Sequence, residues 1–333
     1  MKSSTWIISV LFAATFQLHA QHYPAGSEGI LAGSLPSPGF YVKDYNSFYI
    51  YDEVPAFFNN QEEKSKFIQF DYVQAPRLIW ITPLHFLGAN FGMAARIPFA
   101  YQQYTHGVGS GSGFPGPPQP PGPTTTVTER QFGLSDIQIE PIIFSWRLKH
   151  FDITTSASFW VPAGQFNKDN NYEFYNLGQG YWTYSFSLGA TWYPDDKKTW
   201  AISVLNHYDI NTAQYSSLIN VIPSPSHPLG IASFDTTLGD IYTLEWGISK
   251  TLEKRVEIGA TGYYQQQVTA TEGPTLFGPT GSGQRVHVTG VGPEIAVTFP
   301  KWGLRTSLRY DYEFSAEDHP QGHLINLTVT KAF

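Results

Sequence analysis

The amino-acid sequence predicts an all-β fold: a membrane-spanning, antiparallel, up-and-down β-barrel of about twelve strands, with fourteen as the alternative count. Three observations predict it. Apolar and polar residues alternate with a period of two along most of the chain. Short and long connections follow one another in turn. The composition is poor in charge, at 14%, and rich in aromatic residues, at 16%. Its 20 Tyr, 24 Phe and 9 Trp suit an apolar belt with aromatic girdles at two membrane interfaces.

Residues 1–20 read as a secretory signal peptide. Lys2 supplies the charged start, Trp6 to Phe16 the apolar stretch, and Leu18-His19-Ala20 a small-residue cleavage site. The apolar stretch is too short to span hydrocarbon as a helix. Residues 21–38 are rich in Gly and Pro and not strand-like. They read either as a plug in the lumen or as a periplasmic tail. Residues 39–333 then form one barrel domain, expected to be monomeric. The chain has no cysteine, which excludes a disulfide scaffold and a thiolate metal site. A net charge of −7 argues against a nucleic-acid partner.

The clearest strand runs from Tyr181 to Tyr193. Trp182, Tyr184, Phe186, Leu188, Ala190 and Trp192 share one face, and Thr183, Ser185, Ser187, Gly189 and Thr191 the other. In a membrane barrel the first face meets lipid and the second lines the lumen. Trp182 and Trp192 are ten residues apart, the length a tilted strand needs to cross the hydrocarbon. The same pattern gives strands near Ile68–Trp80, Phe91–Phe99, Ile153–Val161, Trp200–Asp209, Tyr242–Ser249, Val256–Gln265, Val291–Phe299, Leu304–Glu313 and Ile325–Phe333. Another places Ile137, Ile139 and Ile143 outward, against Asp136, Gln138 and Glu140. The segment from Phe40 to Tyr51 is extended, but its two faces are ambiguous.

Short connections fall near Leu87-Gly88, Lys149-His150, Pro194 to Lys198, Glu253-Lys254 and Pro300 to Gly303. Long ones fall near 54–64, 105–128, 164–180, 211–237, 271–284 and 315–321. Short turns on one side and an even strand count place both termini in the periplasm. The loop 107–123 is a low-complexity run of Gly, Ser and Pro, read as a surface loop.

Alternation also selects the inward charges. Arg77, Arg96, Asp136 and Glu140 fall on the early strands, and Glu245, Glu257, Glu294, Arg305, Arg309 and Asp311 on the later ones. Neighbouring strands lie about 4.8 Å apart, so opposite charges can pair across the wall. Such pairs either fill the interior structurally or form a polar track for solutes. No catalytic residue, cofactor or metal site is expected. The ten histidines are scattered, and no Gly-x-Ser-x-Gly elbow or HExxH helix occurs. His207 and Asp209 share a strand face about 7 Å apart along it, a common chance spacing.

Two stretches carry a family resemblance. HYPAGSEGILAGSLPSPGFYVKDYNSFYIYDE, with His22-Tyr23, Gly29, Gly33, Pro36, Pro38-Gly39-Phe40-Tyr41 and Tyr45-Asn46, resembles the start of the meta-pathway phenol-degradation proteins. GLSDIQIEPIIFSW, from Gly133 to Trp146, resembles that family's Gly-x-x-Asp…Pro strand. The Pro-rich loop departs from it. The resemblance implies a bacterial outer-membrane barrel, similar in type to fatty-acid and toluene channels, that takes up small hydrophobic or aromatic compounds. It implies no site residues. Phe333, with Ile325, Leu327 and Val329, also resembles the signal read by barrel-assembly machinery, and Lys331 breaks that alternation.

The expected function is therefore a channel or transporter for small apolar or aromatic solutes in the outer membrane. Outer loops bearing Tyr172, Phe174 and Tyr175 would capture the solute. The expected partners are outer-membrane lipid, the barrel-assembly machinery and small apolar solutes. A structural or adhesive surface barrel with a sealed lumen is the alternative, and an outer-membrane lipase or protease a more distant one.

Overall fold

The wall follows from the alternation. Each segment with apolar residues at every second position forms a strand that turns those residues outward and its small or polar residues inward. The computed structural model describes residues 22–56, 63–65, 69–109, 124–166, 176–219, 231–272, 286–317 and 319–333. The signal-peptide reading, Tyr172, Phe174, Tyr175 and most of the Pro-rich loop lie outside them.

In chain order the strands are β1 (Gly39–Ala56), β2 (Glu63–Ser65), β3 (Gln69–Phe86), β4 (Ala89–Arg96), β5 (Phe99–Gly109), β6 (Thr124–Leu134), β7 (Ile137–Arg147), β8 (Phe151–Val161) and β9 (Thr183–Trp192). They continue with β10 (Trp200–Asn211), β11 (Ala213–Ile219), β12 (Ile231–Thr237), β13 (Ile241–Leu252), β14 (Val256–Gln267), β15 (His287–Phe299), β16 (Leu304–Glu317) and β17 (Gln321–Ala332). β4 and β5 are halves of one wall strand: β3 pairs with β4 from Arg77 to Phe86 and with β5 from Gln69 to Gln74. Pro98, which has no N–H, marks the break. β6 and β7 are likewise halves of the next wall strand, parted at Ser135-Asp136.

The result is a closed antiparallel barrel of twelve wall strands, not fourteen. Closure is made by β1 against β17, in register from Tyr41↔Ala332 to Tyr51↔Gly322. The Phe333 N–H donates to the Phe40 carbonyl at 3.0 Å. The short turns fall where the sequence puts them. At Leu87-Gly88 and Glu253-Lys254 both residues have positive φ, the backbone a tight hairpin needs to match strand twist.

Two expectations change. Ile143 is not outward: it is 1% exposed and packs inside with Ile79, Ile81 and Ala94. The cause is a β-bulge at Glu140-Pro141. Register on the β8 side steps from Ile139↔Phe159 to Ile142↔Ala157, and on the β4 side from Ala94↔Glu140 to Gly92↔Ile143. The extra residue swaps the faces beyond it, so Ile142 takes the outward position. The long connections are also shorter than expected. β5 runs on to Gly109, β6 begins at Thr124, and β11 and β12 form a separate hairpin within 211–237.

The ambiguous first strand now has definite faces. Tyr45 and Tyr51 are buried inward. The opposite, outward positions are Phe40, Val42, Asp44, Asn46, Phe48 and Ile50. Two polar residues on the lipid face obscured the pattern.

Candidate functional site

Residues 22–38 lie inside the barrel, where polar groups on the strands receive them. The segment has little regular structure beyond one 3-10 turn at Gly29–Leu31. Its backbone polar groups therefore need partners from the wall.

Glu245 on β13 accepts three bonds from it: from the Tyr23 hydroxyl at 2.6 Å, Ser27 N–H at 3.2 Å and Glu28 N–H at 2.9 Å. Glu294 on β15 accepts from Ile30 N–H at 2.9 Å. Ser203 on β10 accepts from Gly33 N–H at 2.7 Å, and Asp152 on β8 from the Ser34 hydroxyl at 3.1 Å. Glycine makes the closest approaches possible. A Cβ on Gly33 would stand 2.4 Å from the Ala190 carbonyl oxygen, and one on Gly247 2.7 Å from Ile30 Cα.

Glu28 is the electrostatic centre. Its carboxylate meets Lys43 at 2.6 Å, Arg96 at 3.0 Å and Arg77 at 3.3 Å, and accepts from the Tyr45 hydroxyl at 2.8 Å. Arg77 also pairs with Glu140. Burial alone would raise the Glu28 carboxyl, but Lys43, Arg77 and Arg96 outweigh it and hold it well below the usual carboxylate range. Burial, then Glu245 and Glu28, push the Tyr23 phenol well above its ordinary value, so it stays a hydrogen-bond donor.

His22 forms a third attachment. Its ring lies 2.7 Å from both Asp136 Oδ2 and Thr183 Oγ1, and stacks on Trp160. Asp136 also accepts from Gly164 N–H and Gln179 N–H, which ties the segment to the base of the loop after β8. Asp136, His22 and Thr183 have the order of a nucleophile triad. Thr183 is fully buried, however, and its hydroxyl donates to Asn211 Oδ1 at 2.7 Å, so no substrate carbonyl reaches it. Among the described residues no group of three or more His, Asp or Glu is placed to hold a metal ion.

Of the ten inward charges selected from the sequence, Arg77, Arg96, Asp136, Glu140, Glu245, Glu257, Glu294, Arg309 and Asp311 are buried, and Arg305 is half-buried. The structure brings Arg77, Arg96 and Glu140 together around Glu28. It sets Arg309 between Asp311 at 2.7 Å and Glu294 at 4.0 Å. Arg305 and Glu257 pair separately at 2.9 Å, and Asp136 stands apart with His22. Sequence reasoning did not select Glu28, His22, Tyr23 or Lys43 as site residues. His22-Tyr23 entered only as carriers of the family resemblance, and Glu28 and Lys43 had no signal beyond position in, or next to, a segment whose path the pattern leaves open.

A small cavity of about 40 Å³, open at its mouth, lies between the segment and the wall. Leu35, Ile143 and Leu205 give it apolar surface, and Tyr23 stacks on His207 at its edge with ring centroids 3.8 Å apart. Arg77 Nε, Arg96 Nε and His207 Nδ1 are buried on its lining and have no hydrogen-bond partner among the described residues.

The family model described as "Putative MetA-pathway of phenol degradation" matches residues 65–329. No curated protein sequence matches the chain. Among solved structures, it is similar to an outer-membrane channel from Pseudomonas putida F1, with a TM-score of 0.67 at 14% identity over 94% of this chain and 100% of that one. A TodX deletion mutant, a monoaromatic hydrocarbon channel, gives 0.47 at 11% identity over 90% and 91% of the two chains. The β-domain of the Bordetella autotransporter BrkA gives 0.46 at 11% identity over 90% and 100%. At these identities the likeness is one of fold.

Proposed function

The chain belongs to the MetA-pathway phenol-degradation family of outer-membrane β-barrels, and on that premise we propose that it is a passive outer-membrane channel for small, apolar aromatic solutes. One observation carries the reading. Among the described residues, the segment 22–38 crosses the barrel interior and leaves a small cavity that pairs apolar surface and an aromatic edge with the unused Nε–H donors of Arg77 and Arg96. A hydrated ion would have to shed water to pass a packed interior of paired charges, which is costly. A phenol-sized ring, entering as the segment shifts to widen the cavity, loses little water, gains apolar contact, and offers a hydroxyl oxygen to the waiting donors. The name of the family and the neighbouring hydrocarbon channel point the same way. The inward charges then act as a frame that fixes the segment and sets the cavity's polarity.

The test is uptake into liposomes holding the purified barrel. Phenol-type solutes should enter faster than sugars of similar mass, and deletion of residues 22–35 should open the path to both. Equal exclusion of aromatic solutes and ions by both proteins would overturn the proposal and favour a sealed structural barrel.

A further inference from the structure

The lipid-facing side of the closure strand carries an anomaly. Outward residues of β1 run from Phe40 to Ile50, ten residues apart, the length a tilted strand uses to cross the hydrocarbon. Asp44 and Asn46 stand midway between these apolar ends. Across the ladder Asp44 faces Pro76 and Val329, and Asn46 faces Gln74 and Leu327. Gln74 is exposed on the same outer face, with Phe99 as its neighbour on β5.

These polar groups partly satisfy one another. The Asn46 and Gln74 carboxamides each donate to Asp44 Oδ2, at 3.3 and 3.1 Å, and the Tyr72 hydroxyl donates to Asn46 Oδ1 at 2.7 Å. That bond to Asp44 is Gln74's one partner among the described residues. Its second N–H and its carbonyl oxygen have no partner among those residues, and acyl chains against this outer face would offer none. Asn206 provides the contrast. It too sits on the lipid face, but its oxygen accepts from the Tyr242 hydroxyl at 2.7 Å and its amide donates to the Leu188 carbonyl at 3.2 Å. The wall engages both the oxygen and the nitrogen of Asn206, and at Gln74 it leaves the oxygen without a partner among the described residues.

We propose that the strip Asp44–Asn46–Gln74 is the contact surface for a second copy of this chain, packed side by side in the membrane about a two-fold axis along its normal. A primary carboxamide is self-complementary. At the axis each Gln74 donates Nε2–H to the Oε1 of the other, and both free groups are satisfied by one reciprocal pair. A copy inserted in the same direction presents the strip at the same depth by symmetry, which an unrelated partner would have to match. The flanking Val42, Pro76, Leu327 and Val329 are aliphatic and carry no competing polar group, so they can pack against their counterparts around the axis. This revises the monomeric expectation and is independent of what passes through the barrel.

The absence of cysteine makes the test clean. Gln74→Cys and Leu188→Cys, the latter on the lipid face of β9, are reconstituted singly into phospholipid vesicles at low protein density and oxidised mildly. Gln74→Cys should form a disulfide-linked dimer at least about tenfold faster, because loss of the two long side chains lets the walls close at the axis, whereas thiols at position 188 meet only by random collision. Counting of labelled wild-type barrels in the same vesicles should show dimers, which Gln74→Leu reduces and Asn206→Leu does not. Retained heat-modifiable mobility on gels checks that each variant folds. Equal cross-linking rates at positions 74 and 188, or a wild-type protein that is monomeric at every density, would overturn the proposal. So would cross-linking of Gln74→Cys in native membranes to a different protein alone.

Discussion

Glu28 and Arg96 lie 3.0 Å apart inside the barrel although 68 residues separate them. The bond joins the inner segment to the wall at β4, and Lys43 on β1 and Arg77 on β3 converge on the same carboxylate. Glu28→Gln would leave three cations around a neutral amide. Breaking a buried charge cluster in this way costs about 3–5 kcal/mol. The barrel ladder should survive while the segment loosens. Planar-bilayer recordings should show a clear rise in conductance, and thermal unfolding a lower midpoint.

Acid should do the same to the wild type. The Glu28 carboxyl is held below its unfolded value of about 4.3, so its contribution is fully present above that pH and is lost as pH falls through the depressed folded value. Conductance should stay flat from neutrality to about pH 4 and rise only below it. Glu28→Gln should lack this acid step. A wild-type rise between pH 5 and 7 would assign the gate to another group.

Gly33 tests the packing of the segment without touching charge. Its added Cβ would fall 2.4 Å from a backbone oxygen of β9, which cannot move without disturbing the ladder. Gly33→Val should therefore displace the segment, raise solute flux in liposomes, and leave the far-ultraviolet signature of the barrel unchanged.

Tyr23→Phe removes the hydroxyl that donates to Glu245 at 2.6 Å. Glu245 keeps two backbone donors, so the loss should be about 1–3 kcal/mol, smaller than that for Glu28→Gln. Chemical unfolding of both variants in one lipid or detergent gives the order.

The bulge at Pro141 predicts opposite labelling of adjacent residues. In vesicles Ile142→Cys should react with a membrane-soluble maleimide and Ile143→Cys should not. Reaction at 143 and protection at 142 would restore the unbroken alternation the sequence suggests.

That reversal marks how far the sequence reaches. By itself it determined the wall: Trp182 to Trp192, Trp200 to Asp209 and their like turn the faces they predict, because period two is a local property of extended backbone. It also placed Arg77, Arg96, Glu245 and Arg309 among the inward residues and put the tight turns at Leu87-Gly88 and Glu253-Lys254. It misplaced Ile143, since one extra residue beside a proline changes every face beyond it. It left Phe40 to Tyr51 unreadable, since Asp44 and Asn46 meet lipid. Only the tertiary structure decided which charges meet, that Glu28 gathers Lys43, Arg77 and Arg96, and that His22 reaches Asp136. Closing the barrel brings residues far apart in the chain to one radius and height. Pairing across the lumen depends on that geometry, which no local pattern encodes.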